Sequence, residues 1–208
     1  IRAMRRSYGE VGLESLPADP FAAFSSWLKE AADNPVIVEA NAMVLSTLGS
    51  DSNGNDALST RTVLLKDISQ GGFTFFSNYS SRKAQAIELN SQVTLLFPWF
   101  AMERQVSISG FTEKISEAES ADYFSTRPWA SQIGAWASLQ SQPLASREQF
   151  EKRYADFEKQ YEGASVPRPP HWTGFTISPR RIEFWIDRDN RLHDRREFTR
   201  SGPEAPWA

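Results

Sequence analysis

Hydrophobic positions fall into three regimes along this chain. Phe21, Phe24, Trp27, Leu28 and Ala31 recur at helical spacing behind Asp19, an N-cap residue, and Pro20 at the first helical position. They predict one amphipathic helix, ended by Asn34-Pro35. From Ala42 the repeat shortens, and residues 42–48, 58–66, 73–77, 93–97 and 105–109 read as short strands. Turn signals at 51–55 and at Gly71-Gly72 separate them, and Ser80 or Ser81 caps a short helix through Leu89. Helices then return. Ser116 with Glu119 forms a capping box opening a helix to about Thr126; Pro128 interrupts it. Residues 131–137 read as a further turn or two, and 146–161 as a longer polar helix. A stiff connector at 166–170 leads to a strand over 175–185, broken at Ser178-Pro179, and residues 191–199 close the sheet. Short strands joined by tight turns predict an antiparallel sheet or barrel. The fold class expected is mainly β with flanking helices (α+β), one domain over 17–208 behind a mobile N-terminal arm at 1–16.

Composition narrows what such a domain binds. The chain has 208 residues, 40% of them hydrophobic, enough to build a core without staples. A net charge of -3 argues against general affinity for nucleic acid or an acidic membrane. There is no cysteine and there are only two histidines, so neither a disulfide framework nor a metal site is expected. No apolar run is long enough to span a membrane. The expectation is a protein of the cytoplasm or another soluble intracellular compartment. Local basic clusters in a mildly acidic chain point to small anionic ligands.

Six stretches carry candidate chemistry. Arg191-Leu192-His193-Asp194-Arg195, read as a strand, puts two guanidiniums and an imidazole on one face. A solvated edge strand is the competing reading. Arg61 and Lys66 flank an apolar strand and face opposite sides, as two ligand contacts or simply as strand ends. Ser77-Asn78-Tyr79-Ser80-Ser81-Arg82-Lys83 gathers hydroxyls and two cations at a helix N-terminus, which suits a phosphate, with a solvated face as the alternative. Tyr123, Arg127 and Ser131, four residues apart, line one face of a continuous helix, with Pro128 bending the path. Gln105 and the Gln140-Ser141 pair offer groups able to read the edge of a heterocycle. No dinucleotide fingerprint, P-loop or nucleophile elbow occurs.

Taken in order, these segments resemble the pyridoxine (pyridoxamine) 5′-phosphate oxidase family. The resemblance runs from about Asn41 to Arg195, with a weaker echo in Arg5-Arg6-Ser7-Tyr8 and the Asp19-Pro20 helix. It rests on 61–66, Ser81-Arg82-Lys83, Leu96-Phe97-Pro98-Trp99, Glu103-Arg104-Gln105-Val106, Tyr123 to Pro128, Ser131 to Trp136, and Arg191 to Arg195. The resemblance implies an FMN-binding split β-barrel, a homodimer with FMN at the subunit interface. Arg61, Ser77, Arg82 and Lys83 then contact the FMN phosphate and ribityl chain. Thr62, Val63, Leu64, Leu65, Lys66 and Phe76 belong to the same site. Gln105, Gln140, Ser141, Trp185 and Arg195 complete it. The substrate phosphate sits with Lys66, Tyr123, Arg127 and Ser131. Arg191 and His193 are the implied catalytic residues, holding the pyridine ring against the flavin, and Arg5 and Tyr8 close over it as a lid. The implied reaction is FMN-dependent oxidation of pyridoxine or pyridoxamine 5′-phosphate by oxygen, giving pyridoxal 5′-phosphate and hydrogen peroxide. A related split-barrel flavin reductase and a non-catalytic carrier of FMN or pyridoxal phosphate are the alternatives. The chain departs from the family pattern at Trp172-Thr173-Gly174, at Trp185-Ile186-Asp187 and in its last residues, Glu204 to Ala208.

Overall fold

The computed structural model describes residues 13, 14, 16–69 and 71–208. Helix α1 (Pro20–Asp33) begins at Asp19, whose carboxylate accepts from the Ala22 amide, and it buries Phe24, Trp27 and Ala31. Strands β1 (Ala42–Ser50), β2 (Asp56–Leu64), β3 (Asp67–Ser69) and β4 (Gly72–Asn78) follow. Helix α2 (Arg82–Leu89) leads to β5 (Gln92–Trp99) and β6 (Arg104–Lys114). Three helices come next: α3 (Glu117–Ser125), α4 (Trp129–Ala137) and α5 (Arg147–Gln160). The long strand β7 (Trp172–Ile186) and β8 (Asp194–Thr199) complete the described elements.

The strands form an eight-stranded antiparallel sheet in the order β2-β1-β5-β6-β7-β4-β3, with β8 also paired to β7. Alternation along β1, β5 and β6 drives one face inward, so Met43, Leu45, Leu95, Phe97, Val106 and Ile108 are fully buried. Helix α1 packs on that face, with Phe24 edge-on to Phe73 (5.0 Å) and Phe97 (4.8 Å). A second, smaller apolar cluster forms around Phe124, Ile133, Val166 and Trp172 beneath the later helices.

Three expectations need correction. The strand over 175–185 is not broken at Ser178-Pro179; β7 runs through it with a register shift opposite Ser109 and Gly110. Pro179 sits between the segment of β7 paired to β4 and the segment paired to β8. A residue without an N–H costs least there, where one edge of the strand changes partner. The closing strand starts at Asp194 rather than Arg191; the connection before it is a short 3-10 turn, Asp189–Arg191. Leu13 and Leu16, inside the stretch expected to be a mobile arm, belong to the core, and Arg196 donates to the Leu16 carbonyl at 3.0 Å. Arg5 and Tyr8 lie outside the described residues.

Candidate active site

Lys66 and Lys83 meet Arg127 in one cleft of ≈ 490 Å³. One wall is the end of β2 and β4. Another is the start of α2, and the third is the α3–α4 junction with Gln140 beyond it.

Ser81 caps α2, accepting from the Ala84 amide at 3.5 Å. Lys83, in the first turn, folds back so that its ammonium donates to Gln140 Oε1 (2.7 Å), Ser77 Oγ (3.1 Å) and Ser81 Oγ (3.3 Å). Arg61 donates to the Leu45 carbonyl (3.0 Å), Thr47 Oγ1 (2.9 Å) and Ser59 Oγ. Every one of these partners is neutral. Burial, and then the neighbouring Arg61 cation, pull the Lys83 pKa down to about 8. Two cations held close together at a helix N-terminus, with no carboxylate between them, fit an anion.

The second cationic group lies across the cleft. Helix α3 ends at Ser125 and α4 begins behind Pro128, so Tyr123, Arg127 and Ser131 do not share one continuous helix. The bend still leaves all three lining the cleft, with Lys66 opposite. Leu65 is buried in the core; its main-chain N–H donates to the Asn41 carbonyl (2.9 Å), and that of Lys66 to the Thr74 carbonyl (2.8 Å). Arg127 lies over Trp172, 5.0 Å from its ring, and its buried Nη1 has no hydrogen-bond partner. A buried guanidinium nitrogen left unpaired is costly unless a ligand satisfies it. Tyr123 stacks on Phe76 at 4.0 Å, and Phe76 on Trp172 at 4.9 Å, which makes the wall between the strands and α3 aromatic. The cleft thus carries two cationic groups, and their neutral partners and the unpaired Arg127 nitrogen fit phosphorylated ligands.

A second constellation lies elsewhere on the protomer. Gln105 pairs with Trp185 across β6 and β7, and Trp185 with Arg195 across β7 and β8. The His193 ring lies 4.5 Å from that of Trp185. Arg191 does not share a strand face with His193 and Arg195 as expected. Asn190 and Arg191 both have positive φ (56° and 66°), which breaks the alternation. Arg191 is exposed, as are Arg82 and Ser141. None of the residues of this row, nor Arg191, lines the cleft that holds Lys83 and Arg127.

Two family models match the chain. One, described as pyridoxamine 5′-phosphate oxidase, covers residues 29–161. The other, the pyridoxine 5′-phosphate oxidase C-terminal dimerisation region, covers 172–208. A pyridoxine/pyridoxamine 5′-phosphate oxidase of Rubrobacter xylanophilus is 47% identical over 98% of this chain and 92% of its own length. One from Synechocystis is 48% identical over 94% and 90%. The chain belongs to the pyridoxine/pyridoxamine 5′-phosphate oxidase family. Among solved structures, PhzG from Burkholderia lata, in complex with tetrahydrophenazine-1-carboxylic acid, superposes with a TM-score of 0.85 at 26% identity, covering 98% of this chain and 97% of that one. An FMN-binding protein of Nostoc punctiforme shares the fold, with a TM-score of 0.70 at 15% identity and coverage of 93% and 97%.

Residues at two of the unusual stretches, Thr173-Gly174 and the C-terminus, make defined contacts. Thr173 is buried against Ser120, and Gly174 has Ile115 and Phe76 so close that a Cβ would clash. Trp207 packs on Phe21, Arg200 lies 4.5 Å over it, and Ala208 exchanges two backbone hydrogen bonds with Thr199. Sequence reasoning missed Thr126 and Trp172 in the cleft, and Thr47 and Ser59 as the hydroxyls holding Arg61. Thr47 and Ser59 were findable, because pairing β1 with β2 puts them opposite each other beside Arg61.

Proposed function

We infer that the protein oxidises pyridoxine 5′-phosphate or pyridoxamine 5′-phosphate to pyridoxal 5′-phosphate, with FMN as cofactor and oxygen as final acceptor. The observation that carries this reading is the pair of cationic subsites in one cleft, with Arg127 Nη1 buried and unpartnered. When bound, FMN would supply the redox chemistry, a hydride acceptor for the substrate carbon that oxygen can reoxidise with formation of hydrogen peroxide.

The protein binds and orients. Arg61, Ser77, Arg82 and Lys83 hold the FMN phosphate, and Arg127, Tyr123, Ser131 and Lys66 hold that of the substrate. Phe76, Tyr123 and Trp172 exclude water from between them. Arg191 and His193 meet the pyridine ring, and Gln105, Trp185 and Arg195 meet the flavin. Because this second set lies apart from the cleft, it is contributed by the other subunit of a homodimer. The match to the family's dimerisation region over β7 and β8 supports that arrangement.

The test is the visible spectrum of the purified protein, followed by pyridoxine 5′-phosphate without oxygen. Flavin absorbance that bleaches with substrate and returns with air, with release of peroxide, is expected. Flavin that stays oxidised overturns the reading.

A further inference from the structure

Nδ1 of His193 has two neighbours that make opposite demands. The main-chain N–H of Arg188 donates to it at 3.2 Å, which requires a lone pair on that nitrogen. Asp187 Oδ1 lies 3.3 Å from the same atom, which favours a proton there. A neutral imidazole carries one N–H and one acceptor nitrogen, so the choice at Nδ1 fixes what Nε2 can do.

The surroundings hold the ring and its neighbours in place. Arg188 grips Asp194 Oδ2 through Nε (2.9 Å) and Nη2 (2.7 Å), closing the loop between β7 and β8. The Asp187 amide donates to the Glu103 carbonyl at 2.8 Å. The Trp185 ring covers the imidazole. Of the two demands, the amide's cannot be withdrawn, because a peptide N–H does not give up its proton. At the carboxylate, burial raises the pKa of Asp187 and the His193 charge opposes that rise.

We propose that the Arg188 amide fixes neutral His193 as the Nε2–H tautomer, and that Asp187 becomes the partner of Nδ1 only when the ring is protonated. Nε2 keeps its hydrogen in both states. His193 therefore meets the substrate as a hydrogen-bond donor to an oxygen, not as the base that removes a proton. Asp187 and the Arg188 main chain are positioning groups acting through His193. The part concerning substrate rests on the oxidase reading above.

The experiment is long-range ¹H–¹⁵N correlation NMR of the FMN-loaded protein labelled with ¹⁵N-histidine. With only His171 and His193 present, a His193→Gln sample assigns both rings. Expected for neutral His193 is a protonated Nε2 and a bare Nδ1, unchanged in Asp187→Asn. An Nδ1–H pattern, or the averaged pattern of free histidine, overturns the proposal, as does a change of neutral tautomer in Asp187→Asn. In turnover, His193→Gln, which can place an amide N–H near the position of Nε2–H, should keep kcat/KM roughly tenfold above His193→Ala, the scale of one hydrogen bond. Equal loss in both overturns the donor role. The tautomer is read without substrate, whereas flavin bleaching in the wild type tests the oxidase reading, so the two can fail separately.

Discussion

Lys83 and Arg127 carry charge in surroundings that penalise it, and this makes both testable. The Lys83 pKa of about 8 lies below its ordinary value. A bound phosphate favours the ammonium, so above pH about 8 FMN binding must take up a proton, and affinity falls as pH rises. Stability of the FMN-free protein has the opposite sign. Between about 8 and the ordinary lysine value the unfolded chain holds the proton and the folded one does not, so Lys83 makes stability rise with pH there. FMN titrations across pH 7–10 check the first, and the fall should disappear in Lys83→Arg. Arg127→Met removes a cation whose buried nitrogen has no partner. The Michaelis constant for pyridoxine 5′-phosphate should rise roughly 10–100-fold, as for loss of a charged hydrogen bond, with melting temperature unchanged or higher. A normal Michaelis constant in that variant would remove Arg127 from the substrate subsite. At this scale residue type pointed to Lys83, Arg127 and Ser77, which line one cleft. It misled on the strand face of Arg191, because the positive φ values of Asn190 and Arg191 have no signature in a charged run.

Elements place these residues, and their local rules can be broken one at a time. Ser81→Ala removes the side-chain cap of α2 and a hydroxyl bonded to Lys83. It should cost about 1 kcal/mol, read as a lower urea midpoint with unchanged slope. It should also weaken FMN binding, whereas an unaltered midpoint would mean the cap contributes nothing. Gly110→Ala attacks the irregularity between β6 and β7. Its Cβ would lie 2.2 Å from the Ser178 carbonyl oxygen and 2.8 Å from Pro179 Cα, both main-chain atoms that cannot swing away. A loss of roughly 1–3 kcal/mol is expected in thermal melts, the scale of overpacking. Caps at Asp19 and Ser116, and one at Ser80 or Ser81, were legible because capping is decided within four residues. The continuity of β7 through Pro179 was not, because it depends on which strands flank each edge.

At the scale of the whole molecule the two groups of candidate residues stand apart. The cleft around Lys83 and Arg127 and the row Gln105–Trp185–Arg195 occupy different parts of one protomer. By itself the sequence determined what is local: the helix caps, the alternation that sends Leu45, Leu95 and Ile108 inward, and the cationic residues set apart along the chain. Only the tertiary structure decided that Lys66 and Lys83 face Arg127 across one cleft, and that His193 Nδ1 lies between an amide and a carboxylate. The reason is that such pairings depend on strand order and loop path, which follow from the packing of the whole core and not from any short stretch of the chain.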